Sequence, residues 1–416
     1  MYRRSLTLSI IEGSFWALMV GFGETYFPPY AISLGASDLQ IGLLASLPLL
    51  AGSLAQLSSP WLVDRFKSRK RLVRTVVLFQ ALCYLPIVGV AFFTLGRPVL
   101  LILIVVVYWI FLLGGQAAWQ SWIGDLVPLA ERGHYFSRRN LWLQLATFVG
   151  VVTGGILLRH YNFILIFLVA MGCRLVSFVL LEIQEEPDYH PPAEAQFTFV
   201  EFVQKMRFNN YGIFVIFSSL FAVVHLIAGP YFSPYILRQL QFSNFEYMLA
   251  QAVMVASKSI FLPIWGHYSD RYGSRKLLSL SGYLMPLVPL LWMFSDRLSI
   301  VLAVQVVSGF VWAGYELCSF NFILDCTTPE RRARCASYYQ VFVGVGSVAG
   351  ALLGALLMKH ALFFNPYLFL FLVSALGRLL VTTLFLPKIK ELREVERISY
   401  KTLLFRMVLF LKPGES

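Results

Sequence analysis

Charge is what this chain has least of. Only 13% of its 416 residues are Asp, Glu, Lys or Arg, and the acids number 22. Soluble domains carry about a quarter charged residues, so a soluble globular protein is excluded. Cysteine is sparse as well. The five (Cys83, Cys173, Cys318, Cys326, Cys335) lie in apolar stretches or on the side of the termini. Their spacing suits neither a disulfide framework nor a metal site. Asn-x-Ser/Thr acceptors are absent and the loops opposite the termini are short, which favours a bacterial inner membrane over a eukaryotic surface. There is no Gly-x4-Gly-Lys-Ser/Thr loop, so ATP is not the expected energy source. With no nucleophile and base pair and no cluster of metal ligands, the expectation is a non-enzyme with no catalytic residues, no metal and no cofactor. The first apolar stretch follows only Tyr2-Arg3-Arg4 and ends at Pro28-Pro29 without a small-residue cleavage site, so it reads as retained.

What the chain does have is apolar length. Hydrophobic residues make up 58% of it and the mean hydropathy is +0.70. Stretches of the roughly 20 residues that cross about 30 Å of hydrocarbon fall at 10–31, 39–60, 75–95, 99–123, 138–159, 163–183, 211–236, 246–265, 277–295, 298–323, 336–358 and 363–386. The expected fold class is therefore all-α integral membrane, with twelve transmembrane helices numbered in that order. The net charge of +12 does not point to nucleic acid, because of where it sits. Of the 34 Lys and Arg, 26 fall on the side of the termini and 5 on the other (Arg97, Arg159, Arg238, Arg297, Lys359), with Arg174, Lys258 and Arg378 inside helices. The positive-inside rule then puts both termini in the cytosol.

The chain also repeats itself. Tyr26-Phe27-Pro28-Pro29-Tyr30 returns as Tyr231-Phe232-Ser233-Pro234-Tyr235, and Asp64-Arg65 as Asp270-Arg271. Asp125, Arg132, Ser137, Gly150 and Gly154 return as Asp325, Arg332, Ser337, Gly350 and Gly354, each 200 residues on. Duplicated apolar halves are the mark of a secondary transporter with a central site. The expected organisation is two pseudo-symmetric six-helix bundles, 1–183 and 211–387, a cytosolic linker over 184–210, and a basic tail over 388–416. The linker carries Glu185-Glu186-Pro187-Asp188 and Pro191-Pro192. The tail sets Ile389, Leu392, Val395, Leu403, Met407 and Phe410 among basic residues, which suits a helix lying on an anionic leaflet.

Between helices 8 and 9 runs Gly266-His267-Tyr268-Ser269-Asp270-Arg271-Tyr272-Gly273-Ser274-Arg275-Lys276. This resembles the signature loop of the major facilitator superfamily, Gly-x3-Asp-Arg-x-Gly-x-Arg-Lys. The first-half copy keeps Asp64, Arg65, Arg69 and Lys70 but has Pro60 and Lys67 at the glycine positions, which calls its tight turn into question. Asp125 with Arg132, and Asp325 with Arg332, resemble the superfamily's acid-x6-Arg element. The resemblance covers nearly the whole chain. It implies that these acids and bases form a latch on the cytosolic side, closed when the two halves meet there. Two motifs of the superfamily are missing: an arginine midway along helix 4, and a Gly-Pro kink in helix 5, where only Gly150-x3-Gly154-Gly155 stands. Drug antiport is thus not supported by motif. Gly150, Gly154, Gly346, Gly350 and Gly354 read as close packing between the halves.

The resemblance also implies that helices 1, 4, 7 and 10 line a central cavity, so their polar residues are the candidates. On helix 4 these are Gln116, Trp119 and Gln120, near Trp109; on helix 10, Trp312 and Glu316, near Gln305 and Ser319; on helices 1 and 7, Glu24, Tyr26 and His225. Two roles stand open for Glu24: a proton-coupling carboxylate, or a structural group, neutral and bonded to a neighbouring helix or paired with Arg174, Lys258 or Arg378. His225 reads as packing or coupling. Glu316 reads as cavity or gate. Lys258 reads as a base for an anionic solute or the partner of a buried acid. Trp119, Trp312, Tyr26 and Tyr315 suit stacking on a ring or holding an organic cation. The function expected is alternating-access transport of a small amphiphilic or aromatic solute, with proton coupling open; the alternative is a solute sensor without flux. The partners expected are the solute, protons and the bilayer, with no nucleic acid, in a monomer.

Overall fold

The computed structural model describes residues 3–127, 132–187, 199–360, 365–393, 395–396 and 398–409. The side chains of Asp64, Arg132 and Arg332, like those of Pro60 and Ser137, lie outside the described set, as do Asp188, the linker's Pro191-Pro192 and the tail's Phe410. In a bilayer each backbone N–H and C=O must find its partner inside the segment, so long apolar runs become helices. Six such helices come first: α1 (Arg4–Ser33), α2 (Asp38–Gln56), α3 (Arg69–Phe92), α4 (Arg97–Leu126), α5 (Arg138–His160) and α6 (Phe163–Ile183). They are followed by α7 (Asn210–Gln239) and α8 (Asn244–Tyr272). The ninth expected span is built as two shorter pieces, Ser274–Leu284 and Leu287–Trp292, together α9. Pro286 and Pro289 supply no N–H to the ladder, and the break falls at Pro286, between the two pieces. The series ends with α10 (Leu298–Cys326), α11 (Arg334–Lys359) and α12 (Pro366–Lys388). Among the described residues, eleven helices are long and apolar enough to span by themselves.

The repeat is visible in the breaks. A 3-10 turn at Glu24–Tyr26 interrupts α1, and one at Gly229–Tyr231 interrupts α7. In both, proline follows within a few residues and removes a donor.

Two compact units result. Unit 1 comprises Met1–Pro192 with Pro230–Ala252, and unit 2 comprises Ala193–Gly229 with Val253–Ser416. In unit 1, α1 packs against α5 and α6, and α2 against α4; in unit 2, α7 packs against α11 and α12. Glycine sets these distances, and here the expectation needs correcting. A methyl group at Gly150 would lie 2.8 Å from the Leu18 carbonyl, and one at Gly346 or Gly350 would lie 2.3 or 2.2 Å from the carbonyls of Ser219 or Val223. The glycines therefore serve α1 with α5 and α7 with α11, inside each unit, not between the halves.

The segment Pro230–Ala252 is held in unit 1 by apolar and ionic contacts. Met248 and Ala252 cluster with Val151, and Arg238 Nη1 donates to Asp38 Oδ1 at 2.9 Å. The same guanidinium reaches the Ala36 carbonyl.

The tail also departs from expectation. Among the tail's described residues beyond Lys388 only Tyr400–Val408 is helical, and Ile389, Leu403 and Met407 are buried in unit 2 instead of facing lipid.

Candidate functional site

The signature loops organise the basic end of each unit. In unit 1, Arg69 is buried and its Nη1 donates to Asp125 Oδ2 and, at 3.0 Å, to Ser121 Oγ. Glu186 accepts from the Arg69 and Lys70 backbone N–H groups at 2.7 and 3.2 Å and from Ser68 Oγ at 2.5 Å. An acid here compensates the positive helix N-terminus. Lys70 Nζ donates to the carbonyls of Glu182 and Gln184, both at 2.7 Å. Arg65 is exposed. The turn forms without its glycine, because Lys67 takes the left-handed conformation at φ 52°.

In unit 2, Glu391 plays the part of Glu186, accepting the Arg275 backbone N–H at 2.9 Å. Gly273 sits at φ 89°, and a methyl group there would lie 2.2 Å from the Glu391 carboxylate. Arg275 Nε turns to the Ile389 carbonyl at 3.1 Å, and Asp325 is held by Ser274 Oγ at 3.0 Å and Arg393 Nε at 2.9 Å. Arg271 Nε donates to Glu396 Oε2 at 2.7 Å, and Lys276 Nζ reaches the Ile398 carbonyl. Asp270 is exposed and meets no partner among the described residues. The sequence reading missed Glu186 and Glu391. Their signal was present, since they stand 205 residues apart, as do Tyr26 and Tyr231.

Deeper in unit 1 lies a second group of charges. Glu12, a residue not singled out by sequence, takes Ser177 Oγ at 2.7 Å and lies 3.7 Å from Arg174 Nη1. Arg174 Nε donates to Gln80 Oε1 at 2.8 Å. Arg139 lies over the Trp119 ring at 4.4 Å. Gln116 and Gln120 are exposed. Tyr26 is not a cavity residue: it is fully buried, with its Oη donating to the Val151 carbonyl at 2.6 Å. Tyr315 is likewise buried, stacked on Phe221 at 4.7 Å.

Glu24 pairs with none of the three interior bases weighed for it. Its Oε1 lies 2.7 Å from Tyr108 Oη, which is also 2.9 Å from Met19 Sδ. A hydroxyl donates one proton. With Glu24 ionised, Tyr108 donates to it; with Glu24 protonated, the acid donates to Tyr108, whose proton turns to the sulfur. The geometry serves both charge states through rotation of one hydroxyl.

In unit 2 Arg378 is fully buried, with Nε on Ser374 Oγ at 3.1 Å, Nη1 on the Met285 carbonyl at 3.2 Å and Nη2 at 3.0 Å from His225 Nδ1. The His225 ring meets Trp312 edge-on at 4.8 Å. Lys258 is ion-paired with Glu316.

A family model of the Major Facilitator Superfamily matches residues 13–227 and 214–412. The chain belongs to that superfamily. It is a multi-pass membrane protein of a transporter family. Over 112 residues it is 30% identical to the tetracycline resistance protein, class H, of Pasteurella multocida, covering 27% of this chain and 28% of that one. Over 110 residues it is 30% identical to protein spinster homolog 3 of Danio rerio, covering 26% and 22%. The matches thus span about a quarter of these relatives' length. The nucleoside transporter NupG superposes with a TM-score of 0.70 at 13% identity, over 93% of this chain and 98% of that one. A D-xylose-proton symporter does so at 0.72 and 13%, over 95% and 100%. A bacterial homolog of the human lysosomal transporter Spinster, inward-facing and unoccupied, gives 0.63 at 16%, over 99% and 98%. At these identities the likeness is one of fold.

Proposed function

We propose that this chain is a secondary transporter that moves a small amphiphilic or aromatic solute by alternating access, with Glu24 as the proton-coupling carboxylate. The observation that carries the reading is the Glu24, Tyr108 and Met19 arrangement, which accommodates a proton or its absence inside a membrane helix. An ionisable group at that depth is costly and is retained for function. Sequence halves at 1–183 and 211–387, joined by 184–210 and followed by the tail at 388–416, are the bodies that would rock. The basic end is the cytosolic one on the positive-inside rule, in an inner membrane. Gln116, Trp119, Gln120, His225, Trp312 and Glu316 then line the route, with the chain acting as a monomer.

Purified protein in vesicles with an imposed pH gradient tests the reading. The panel starts from what the similar proteins are named for: tetracycline, nucleosides and D-xylose. Accumulation that collapses with the gradient supports proton-coupled transport. Binding of a solute without flux would overturn it and leave a sensor.

A further inference from the structure

Three side chains of unit 2 stand at one depth. Lys258 is 14 residues from either end of Asn244–Tyr272, and Trp312 is 14 residues from either end of Leu298–Cys326. His225 is 15 residues into α7, which begins at Asn210. At about 1.5 Å per residue all three are some 21 to 23 Å from the basic end. Glu316 lies one turn below Trp312. The Lys258 and Glu316 side chains are nevertheless 22% and 49% exposed. A half-exposed carboxylate ten residues inside the basic end of an apolar 29-residue span is not tolerated against lipid, so that exposure faces water inside the protein.

We propose that Lys258 is the receptor for the carboxylate of an aryl-carboxylate solute, and that Glu316 occupies it when the solute is absent. The inference rests on the transport reading and deepens it by naming the solute class. Three observations carry it. The Lys258 ammonium has, among the described residues, no acceptor beyond Glu316, so displacing that one carboxylate frees its donors for an incoming anion. The charge count decides the sign. Mid-membrane, unit 2 holds Lys258, Arg378 and Glu316, while His225 offers Nδ1 to a guanidinium that can only donate, which makes that ring neutral. One positive charge is in surplus; a bound anion cancels it and a bound cation doubles it. Finally, Trp312 and Glu316 are four residues apart on one helix face, about 5–6 Å between Cβ atoms. A ring laid on Trp312 therefore brings a carboxylate one or two bonds from the ring to the place that Glu316 holds.

The test is calorimetric binding to the purified full chain of indole-3-acetate, its neutral amide indole-3-acetamide and the cation tryptamine. Glu316→Gln removes the internal competitor and is expected to tighten indole-3-acetate binding at least tenfold, with no gain for the amide or the amine. The gain is expected to vanish in Lys258→Gln/Glu316→Gln, which is neutral and nearly isosteric; a melting curve without ligand checks that each variant is folded. Lys258→Arg is expected to keep binding that Lys258→Gln loses, a comparison that does not depend on Glu316→Gln folding. Absence of anion binding in both wild type and Glu316→Gln, an equal gain for the amide or amine, or a gain surviving in the double variant would each overturn the proposal. Anion binding without flux would instead count against the transport reading, and flux of a neutral solute without anion binding against this one.

Discussion

Glu12 and Glu24 lie twelve residues apart on one helix and ask different things of their surroundings. Glu12 has Ser177 and Arg174 beside it and answers a fixed charge. Glu24 has a tyrosine that can donate a hydrogen bond to it or accept one from it. Glu12→Gln leaves Arg174 buried without a carboxylate, a loss of about 3–5 kcal/mol that should appear as a lower melting temperature. Glu24→Gln keeps shape and a hydrogen bond, so the melt should stay near wild type. Gradient-driven accumulation should fall at least tenfold while solute exchange continues. A Glu24→Gln protein that accumulates solute normally would remove Glu24 from coupling. Sequence placed Glu24 correctly inside the span but left Tyr108 unnoticed, because no local pattern ties a tyrosine on α4 to an acid on α1.

At the scale of elements, the two copies of the signature turn reach one geometry by different residues. Gly273 combines φ 89° and ψ 145°, a region that essentially only glycine enters, and it must also leave room for Glu391. Gly273→Ala should cost about 1–3 kcal/mol and loosen the Glu391 cap, read as a lower melt. Lys67 holds the left-handed position at a strain that Lys67→Gly relieves, for a gain of up to about 1 kcal/mol. A lower melt for Lys67→Gly would mean that the lysine side chain earns its place. Sequence raised the question about this turn correctly, but the answer came from packing: Glu186 fixes the following helix strongly enough to impose the conformation. The tail was the opposite case. Its alternation of apolar and basic residues suits a lipid surface and a protein surface equally, and Ile389, Leu403 and Met407 found the latter.

For the whole molecule, the alternating access proposed above would set two closures against each other, and each has a candidate acid. Asp270→Asn removes the latch proposed for the basic end, so transport should fall and labelling of engineered cavity cysteines from that side should rise. Asp38→Asn removes the carboxylate partner of Arg238 at the opposite end and should raise labelling from the other side. The same direction of change in both variants would show that neither acid acts as a latch. Asp64→Asn is expected to act as Asp270→Asn does, more weakly.

Hydropathy, charge asymmetry and an internal repeat determined the twelve-span class and the two-half organisation, because these are properties of composition and register along one chain, while the superfamily was legible only through the resemblance of the 266–276 loop. The bilayer imposes helix on any such run, so no tertiary detail was needed. Which charge meets which was decided only by tertiary structure. Glu24, Arg174, Lys258 and Arg378 each stand among apolar neighbours, and nothing along the chain orders their pairings. Folding resolved them by proximity and by the cost of burying a charge alone. Glu12 went to Arg174, Glu316 to Lys258, His225 to Arg378, and Glu24 was left with Tyr108 as its partner.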